Sequence, residues 1–98
     1  MKIEFESRDM AIMKKALETW GIDAQVDCAV EECAEMIVAL HKHTKRAKRD
    51  DSRYNVLDEI TDVFITLSQM RLAFDIGDAE LHEHIKKKLS RVEERLSE

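Results

Sequence analysis

Length, composition and charge define a small, acidic chain. Its 98 residues are 38% charged and 44% hydrophobic, and the formal net charge is -5. This balance excludes a dedicated binder of duplex nucleic acid, and the length fits one domain over residues 1–98. The longest apolar run, 36–40, is too short to cross a membrane, and the acidic first residues do not resemble a signal peptide, so we expect a cytoplasmic protein.

Few residues in this chain interrupt a helix. Proline is absent and glycine occurs only at positions 21 and 77, whereas the abundant Ala, Leu, Glu, Lys and Met favour helix. We therefore predict an all-α fold of four antiparallel helices over approximately 8–20, 23–46, 52–74 and 79–96. Gly21 is expected to end the first helix in a left-handed conformation, while Asp23 and Asp78 are expected to cap helices two and four.

Apolar stripes run along the last three predicted helices, because spacings of three and four residues place side chains on one face. The stripe of helix two comprises Val26, Ala29, Val30, Cys33, Ile37 and Leu40. The stripe of helix three comprises Val56, Ile60, Val63, Phe64 and Leu67, and that of helix four comprises Leu81, Ile85, Leu89, Val92 and Leu96. We do not expect one small unit to cover all three stripes. The prediction is an obligate oligomer, a homodimer or homotetramer, that completes the helical bundle.

Two pairs of carboxylates form the candidate site. Helix two presents Glu32 and Glu35, and helix three presents Glu59 and Asp62. Residues three apart are surface neighbours on a helix, and each pair lies on a flank away from the apolar stripe. If the two helices pack antiparallel, the pairs can face one another across a groove.

Four carboxylates at close range need a compensating positive charge. Like charges raise one another's pKa, and burial adds to this effect. Magnesium takes oxygen ligands and usually retains waters and substrate phosphates in its shell, so it would relieve the repulsion and leave room for a triphosphate. Because 21 of the 98 residues are Asp or Glu, an ordinary solvated face is the alternative explanation of either acidic string.

The order of the acidic residues resembles a family signature. Glu31-Glu32-x-x-Glu35 followed by Glu59-x-x-Asp62 is similar to the E-E-x-x-E and E-x-x-D motifs of the all-α NTP pyrophosphatase superfamily, in its short MazG-like branch. The resemblance covers roughly residues 18–96.

Residues around both motifs extend the resemblance. Trp20, Gly21 and Gln25 are similar to the residues that precede the first motif, the segment 55–63 is similar to the approach to the second, and 87–96 is similar to the tail of short members. Val92 and Leu96 stand where longer members carry an Asn and a terminal Tyr. The phosphate contacts that longer members make from this helix are therefore not implied directly.

The resemblance implies an enzyme that hydrolyses (deoxy)nucleoside triphosphates. Water would attack the α phosphorus and release a nucleoside monophosphate and pyrophosphate, with Mg²⁺ as cofactor and Mn²⁺ as a substitute. The implied metal ligands are Glu32, Glu35, Glu59 and Asp62. Glu31 would assist the attacking water or orient a cation, and the family forms dimers or tetramers around a bundle of helices two and three.

Several cations and one aromatic residue are candidates for substrate contact. A basic cluster comprises Lys42, Lys45, Arg46, Lys48 and Arg49. It is either a solvated helix end favoured by the helix dipole or a phosphate-facing surface. Lys88 and Arg91 could supply the phosphate contacts from the last helix, and Trp20 is either a core anchor or a ring that stacks on a base.

Two alternative functions stay open at this point. Phosphoribosyl-ATP pyrophosphohydrolase has related acidic motifs, although the tail of this chain is less similar to that branch. A non-catalytic helical module could instead use the acidic groove to bind a metal ion or a basic peptide. Release of pyrophosphate separates the enzymes from the module, and activity on phosphoribosyl-ATP separates the two enzymes.

Overall fold

Four α-helices make up most of the computed structural model, which describes residues 4–45 and 50–98, with side chains for 4–44 and 52–98. The helices are α1 (Ser7–Trp20), α2 (Ile22–Lys45), α3 (Asp50–Ala73) and α4 (Asp78–Leu96). None of the described residues forms a strand, so the predicted all-α class is confirmed. Within the described ranges, no helix combines the length and apolar character needed to span a membrane.

The N-termini of the helices use different residues from those expected. α2 begins at Ile22, one residue before Asp23, and α4 begins at Asp78 itself, after Gly77 as N-cap. The predicted capping roles of Asp23 and Asp78 are therefore wrong. Both carboxylates lie instead in the first helical turn, where a negative charge interacts favourably with the helix dipole.

Gly21 separates α1 from α2 through its backbone conformation. Its φ of 89° and ψ of 164° lie in a region that only glycine adopts readily. The Gly21 N–H donates to the Leu17 carbonyl at 2.9 Å, which satisfies one carbonyl at the end of α1. The positive φ agrees with the prediction, although ψ is extended rather than helical.

An antiparallel pair of helices, α2 and α3, forms the body of the fold. At one end His43 Nδ1 lies 2.9 Å from Ser52 Oγ, and at the other end Val26 and Phe74 line the same groove. α1 packs across both helices and buries Met13. This pairing sets the carboxylates of α2 opposite those of α3.

Large apolar side chains of α2 are left uncovered by the rest of the chain. Ala29 is buried, but Val30 and Ile37 are 65% and 67% exposed. Trp20 is 66% exposed, so the interpretation of this residue as a core anchor is wrong.

The last helix stands apart from the other three. Among the described residues, no Cα atom of α4 lies within 8 Å of a Cα atom in α1, α2 or α3. The stripe expected to pack inside a bundle is exposed at Ile85, Leu89, Val92 and Leu96. The described part of one chain therefore forms four helices without closing a four-helix bundle.

The conformation of Gly21 generates a stability prediction. We expect Gly21→Ala to lower the free energy of unfolding by about 1–3 kcal/mol, since a side chain is strained at this backbone conformation. Gly77→Ala is the matched control, because a Cβ at either position would meet no atom within 4 Å and Gly77 has a φ of -81°. Gly77→Ala should change the free energy of unfolding by less than about 1 kcal/mol. Denaturant titration measures both values, and equal losses would contradict the role assigned to the Gly21 backbone.

Candidate metal centre

Three carboxylates meet where α2 crosses the middle of α3. One oxygen atom from each of Glu32, Glu59 and Asp62 lies within 4.8 Å of the other two. Glu59 and Asp62 are neighbours on one face of α3 because they are three residues apart, and Glu32 approaches them from α2. The structure thus brings together three of the four metal ligands that the motif resemblance implies.

The fourth implied ligand, Glu35, lies next to this cluster rather than within it. Its side chain is exposed and lines a groove with Glu59, and its negative charge acts on both Glu32 and Glu59. Glu31 is also exposed and lines the same groove. Both residues therefore line the groove and lie outside the three-residue cluster.

Two oxygen atoms of the cluster are buried and accept no hydrogen bond in the described part of the chain. They are Glu32 Oε2 and Glu59 Oε2. Buried polar atoms are nearly always paired, and leaving one unpaired costs free energy. A hard divalent cation takes carboxylate oxygens as ligands, so these residues fit Mg²⁺ by their donor chemistry.

The pKa values of two carboxyls in the cluster are raised above their usual value of 4.5. For Glu32 the largest cause is partial burial, followed by the charges of Glu35, Asp62 and Glu59 and by a hydrogen bond that the protonated carboxyl of Glu32 would donate to Asp62. Partial burial is also the largest cause of the raised pKa of Glu59, followed by the charges of Glu35, Asp62 and Asp58. Protons and a metal ion would therefore compete for the same oxygen atoms.

The groove beside the carboxylates has a volume of about 390 Å³, which is within the range of small-molecule sites. It runs between α2 and the first turns of α3. Its lining comprises Glu31, Ala34, Glu35, Val38, Ala39, Lys42, Ser52, Asn55 and Glu59. One of the predicted phosphate contacts, Lys42, thus lies in the same groove as the carboxylates.

The other predicted substrate contacts do not converge on this groove. Trp20 is exposed and lines neither this groove nor the one between Val26 and Phe74. Lys88 and Arg91 are exposed on α4, which packs against none of the other helices in the described part of the chain. Arg46 and the side chain of Lys45 lie outside the described residues.

Sequence reasoning missed two polar residues that line the groove, Ser52 and Asn55. Asn55 precedes Glu59 by four residues, and this spacing places both on one helical face, so the groove-facing position could have been found. Ser52 gives no such signal, because its place depends on how the end of α2 meets the start of α3.

Comparisons with models of known protein families, with curated proteins and with solved structures found no match in any of the three.

The raised pKa values generate a prediction for the metal-free protein. The folded state binds more protons than the unfolded chain between pH 4.5 and the raised pKa values of Glu32 and Glu59. Stability should therefore fall as the pH rises through this window. We expect Glu32→Gln and Glu59→Gln each to reduce that fall and to stabilise the protein at neutral pH, since the amide carries no charge.

Unfolding curves recorded in chelator across this pH range measure the effect. Glu18→Gln is the control, because Glu18 is an exposed residue of α1 and its loss should leave the pH dependence unchanged. A cluster variant that is less stable than wild type at neutral pH would show that the carboxylate makes a stabilising contact instead.

Proposed function

We propose that this chain is a Mg²⁺-dependent hydrolase that cleaves nucleoside triphosphates to a nucleoside monophosphate and pyrophosphate. The observation that carries the proposal is the pair of buried, unpartnered oxygens of Glu32 and Glu59, which lie beside Asp62. Glu59 also lines an open groove. The similarity of the acidic motifs to those of MazG-like proteins supports the substrate class and the site of cleavage.

The proposed metal ligands are Glu32, Glu59 and Asp62, with Glu35 at the border of the groove. When bound there, Mg²⁺ would neutralise charge on the triphosphate and polarise its phosphates. Mn²⁺ would substitute, since it also accepts carboxylate and water ligands. The carboxylates would bind the metal ion and orient it toward the triphosphate. Because they repel one another in the metal-free state, binding of a cation between them is favoured.

Glu31 is proposed to accept the proton of the attacking water. Its carboxylate is exposed in the groove wall and forms no ion pair with any described residue. The water oxygen forms a bond to the α phosphorus while the bond between that phosphorus and the bridging oxygen breaks. The bridging oxygen then leaves with the β and γ phosphates as pyrophosphate.

The remaining groove residues suit the rest of the substrate. The ammonium group of Lys42 can donate to a phosphate oxygen and offset the charge of the leaving group. Ala34, Val38 and Ala39 offer an apolar wall to the sugar or base, and Asn55 supplies an amide. Few polar groups are available to recognise a particular base, so we expect discrimination among bases to be modest.

A substrate panel tests the proposed reaction. With Mg²⁺ or Mn²⁺, the protein is expected to convert at least one canonical or modified NTP or dNTP into its monophosphate and pyrophosphate, and EDTA should abolish turnover. Chromatography resolves the products. Orthophosphate as the first product, or unchanged turnover in excess chelator, would contradict the mechanism. Turnover of phosphoribosyl-ATP alone would favour the related pyrophosphohydrolase, and metal binding without any turnover would favour a non-catalytic module.

Replacing one carboxylate of the site with its amide distinguishes a carboxylate that binds the metal from one that only stabilises the fold. We expect Asp62→Asn and Glu35→Gln each to lower kcat by at least about 100-fold, since the first removes an anionic metal ligand and the second removes a negative charge that acts on two other ligands, Glu32 and Glu59. The metal-free protein should melt no earlier than wild type, and the gain in melting temperature on adding Mg²⁺ should shrink.

Glu18→Gln is the control for these variants. It removes the same charge from an exposed residue of α1 whose charge is not among those that act on Glu32 and Glu59, so turnover should remain close to that of wild type. Near-parental turnover in Asp62→Asn, or a loss that follows early melting of the metal-free protein, would remove Asp62 from the metal site.

A further inference from the structure

Two polar contacts between α2 and α3 lie toward opposite ends of the groove beside the carboxylates. At one end Glu32 approaches Asp62 in the three-residue cluster. At the other end Nδ1 of His43 lies 2.9 Å from Ser52 Oγ, within hydrogen-bond distance. His43 is three turns along α2 from Glu32, and Ser52 is about three turns back along α3 from Asp62. Both contacts therefore belong to the same antiparallel seam.

The contacts at the two ends act on the helices in opposite directions. Glu32, Glu59 and Asp62 carry like charges, which repel one another across the seam while no cation is bound. The hydrogen bond between His43 and Ser52 instead holds the two helices together. Because a serine hydroxyl can donate or accept, either neutral tautomer of the imidazole ring supports this bond. It therefore helps to fix the separation of α2 and α3 at this end of the groove.

Partial burial distinguishes these two residues from their neighbours. His43 and Ser52 are half-buried, whereas the flanking residues Lys42, Thr44 and Arg53 are exposed. A hydrogen bond in a less polar environment is electrostatically stronger than one in water. The contact between His43 and Ser52 is thus better suited to hold the helices than the exposed side chains around it.

Each wall of the groove presents a polar group close to this contact. Lys42 directly precedes His43 on α2, Asn55 follows Ser52 by about one turn of α3, and both side chains line the groove. Lys42 forms no ion pair with any described residue. An ammonium group and an amide N–H can both donate to the oxygens of one phosphate group. From opposite walls they can do so only if the two helices are held at a suitable separation.

We propose that His43 is a positioning residue for a phosphate site formed by Lys42 and Asn55. Its hydrogen bond to Ser52 sets the separation of α2 and α3, so that both walls donate to the same phosphate group. Donors that are already in place reduce the cost of ordering the site when the ligand binds.

The place of this site along the groove indicates which phosphate it takes. Lys42 lies about 10 Å along α2 from Glu35, at 1.5 Å per residue, so the site suits the phosphate farthest from the metal. The inference rests on the proposed function only in taking a polyphosphate as the ligand of the groove.

Binding of inorganic tripolyphosphate with Mg²⁺ tests the proposal without a nucleotide. We expect His43→Leu and Ser52→Ala each to raise the Kd by about five- to tenfold, the effect of one ordinary hydrogen bond. His43→Asn should remain within about twofold of wild type, since an amide can replace Nδ1 in the bond to Ser52. Titration calorimetry measures each Kd.

His41→Leu is the matched control for His43→Leu. It removes the same side chain from an exposed position two residues away, and His41 is not among the residues that line the groove. The Kd of this variant should equal that of wild type. An equal loss of affinity in His41→Leu and His43→Leu overturns the proposal, and so does a loss in His43→Leu that His43→Asn does not restore.

A double-mutant cycle separates positioning from a general loss of stability. In a Lys42→Met background, the added change His43→Leu should raise the Kd by less than about twofold, because the group that His43 positions is already absent. The metal ion and Asn55 still bind the ligand in that background, so the Kd remains measurable. Equal effects of His43→Leu in both backgrounds, or a wild type that does not bind tripolyphosphate, overturn the proposal.

Turnover of nucleoside triphosphates gives a separate outcome. If the variants show the expected coupling in tripolyphosphate binding but wild type hydrolyses no nucleoside triphosphate, the proposed function fails and the role of His43 stands. If wild type hydrolyses a nucleoside triphosphate to pyrophosphate but the coupling is absent, the role of His43 alone fails.

Discussion

Repulsion among carboxylates held between α2 and α3 is the interaction on which the rest of this account depends. Glu32, Glu59 and Asp62 are brought within a few ångströms of one another by helix packing that also buries Ala29 of α2 and Thr66 of α3. A site under selection for stability alone would gain from apolar residues there. The three carboxylates, two of which have raised pKa values and unpartnered buried oxygens, are instead suited to a cation that offsets their charge.

Three faces of α2 serve three different contacts. One face packs against α3 and carries Glu32, a second lines the groove beside the carboxylates, and a third lines an apolar groove together with Met70 and Phe74 of α3. Ala34 lines both grooves, so the two grooves are adjacent on α2.

Local patterns in the sequence were sufficient to find the helices and the acidic pairs. Helical periodicity and the two glycines indicate the elements, and the spacing of three residues indicates that Glu59 and Asp62 share a face. The same reasoning fails for Trp20, whose environment depends on how α1 ends at Gly21. It also does not give the distance of Glu35 from the cluster, because that distance depends on how α2 is rotated against α3. It also fails for α4, because an apolar stripe shows that a helix needs a partner without showing which chain supplies it.

The most direct measurement of the central claim is the fate of the water oxygen during hydrolysis. Turnover of a nucleoside triphosphate in water labelled with heavy oxygen, with Mg²⁺ present, distinguishes attack at the three phosphorus atoms. The account predicts that the label appears in the nucleoside monophosphate and that the pyrophosphate stays unlabelled, as read by mass spectrometry of both products. Label in pyrophosphate or in orthophosphate would contradict attack at the α phosphorus and with it the proposed function.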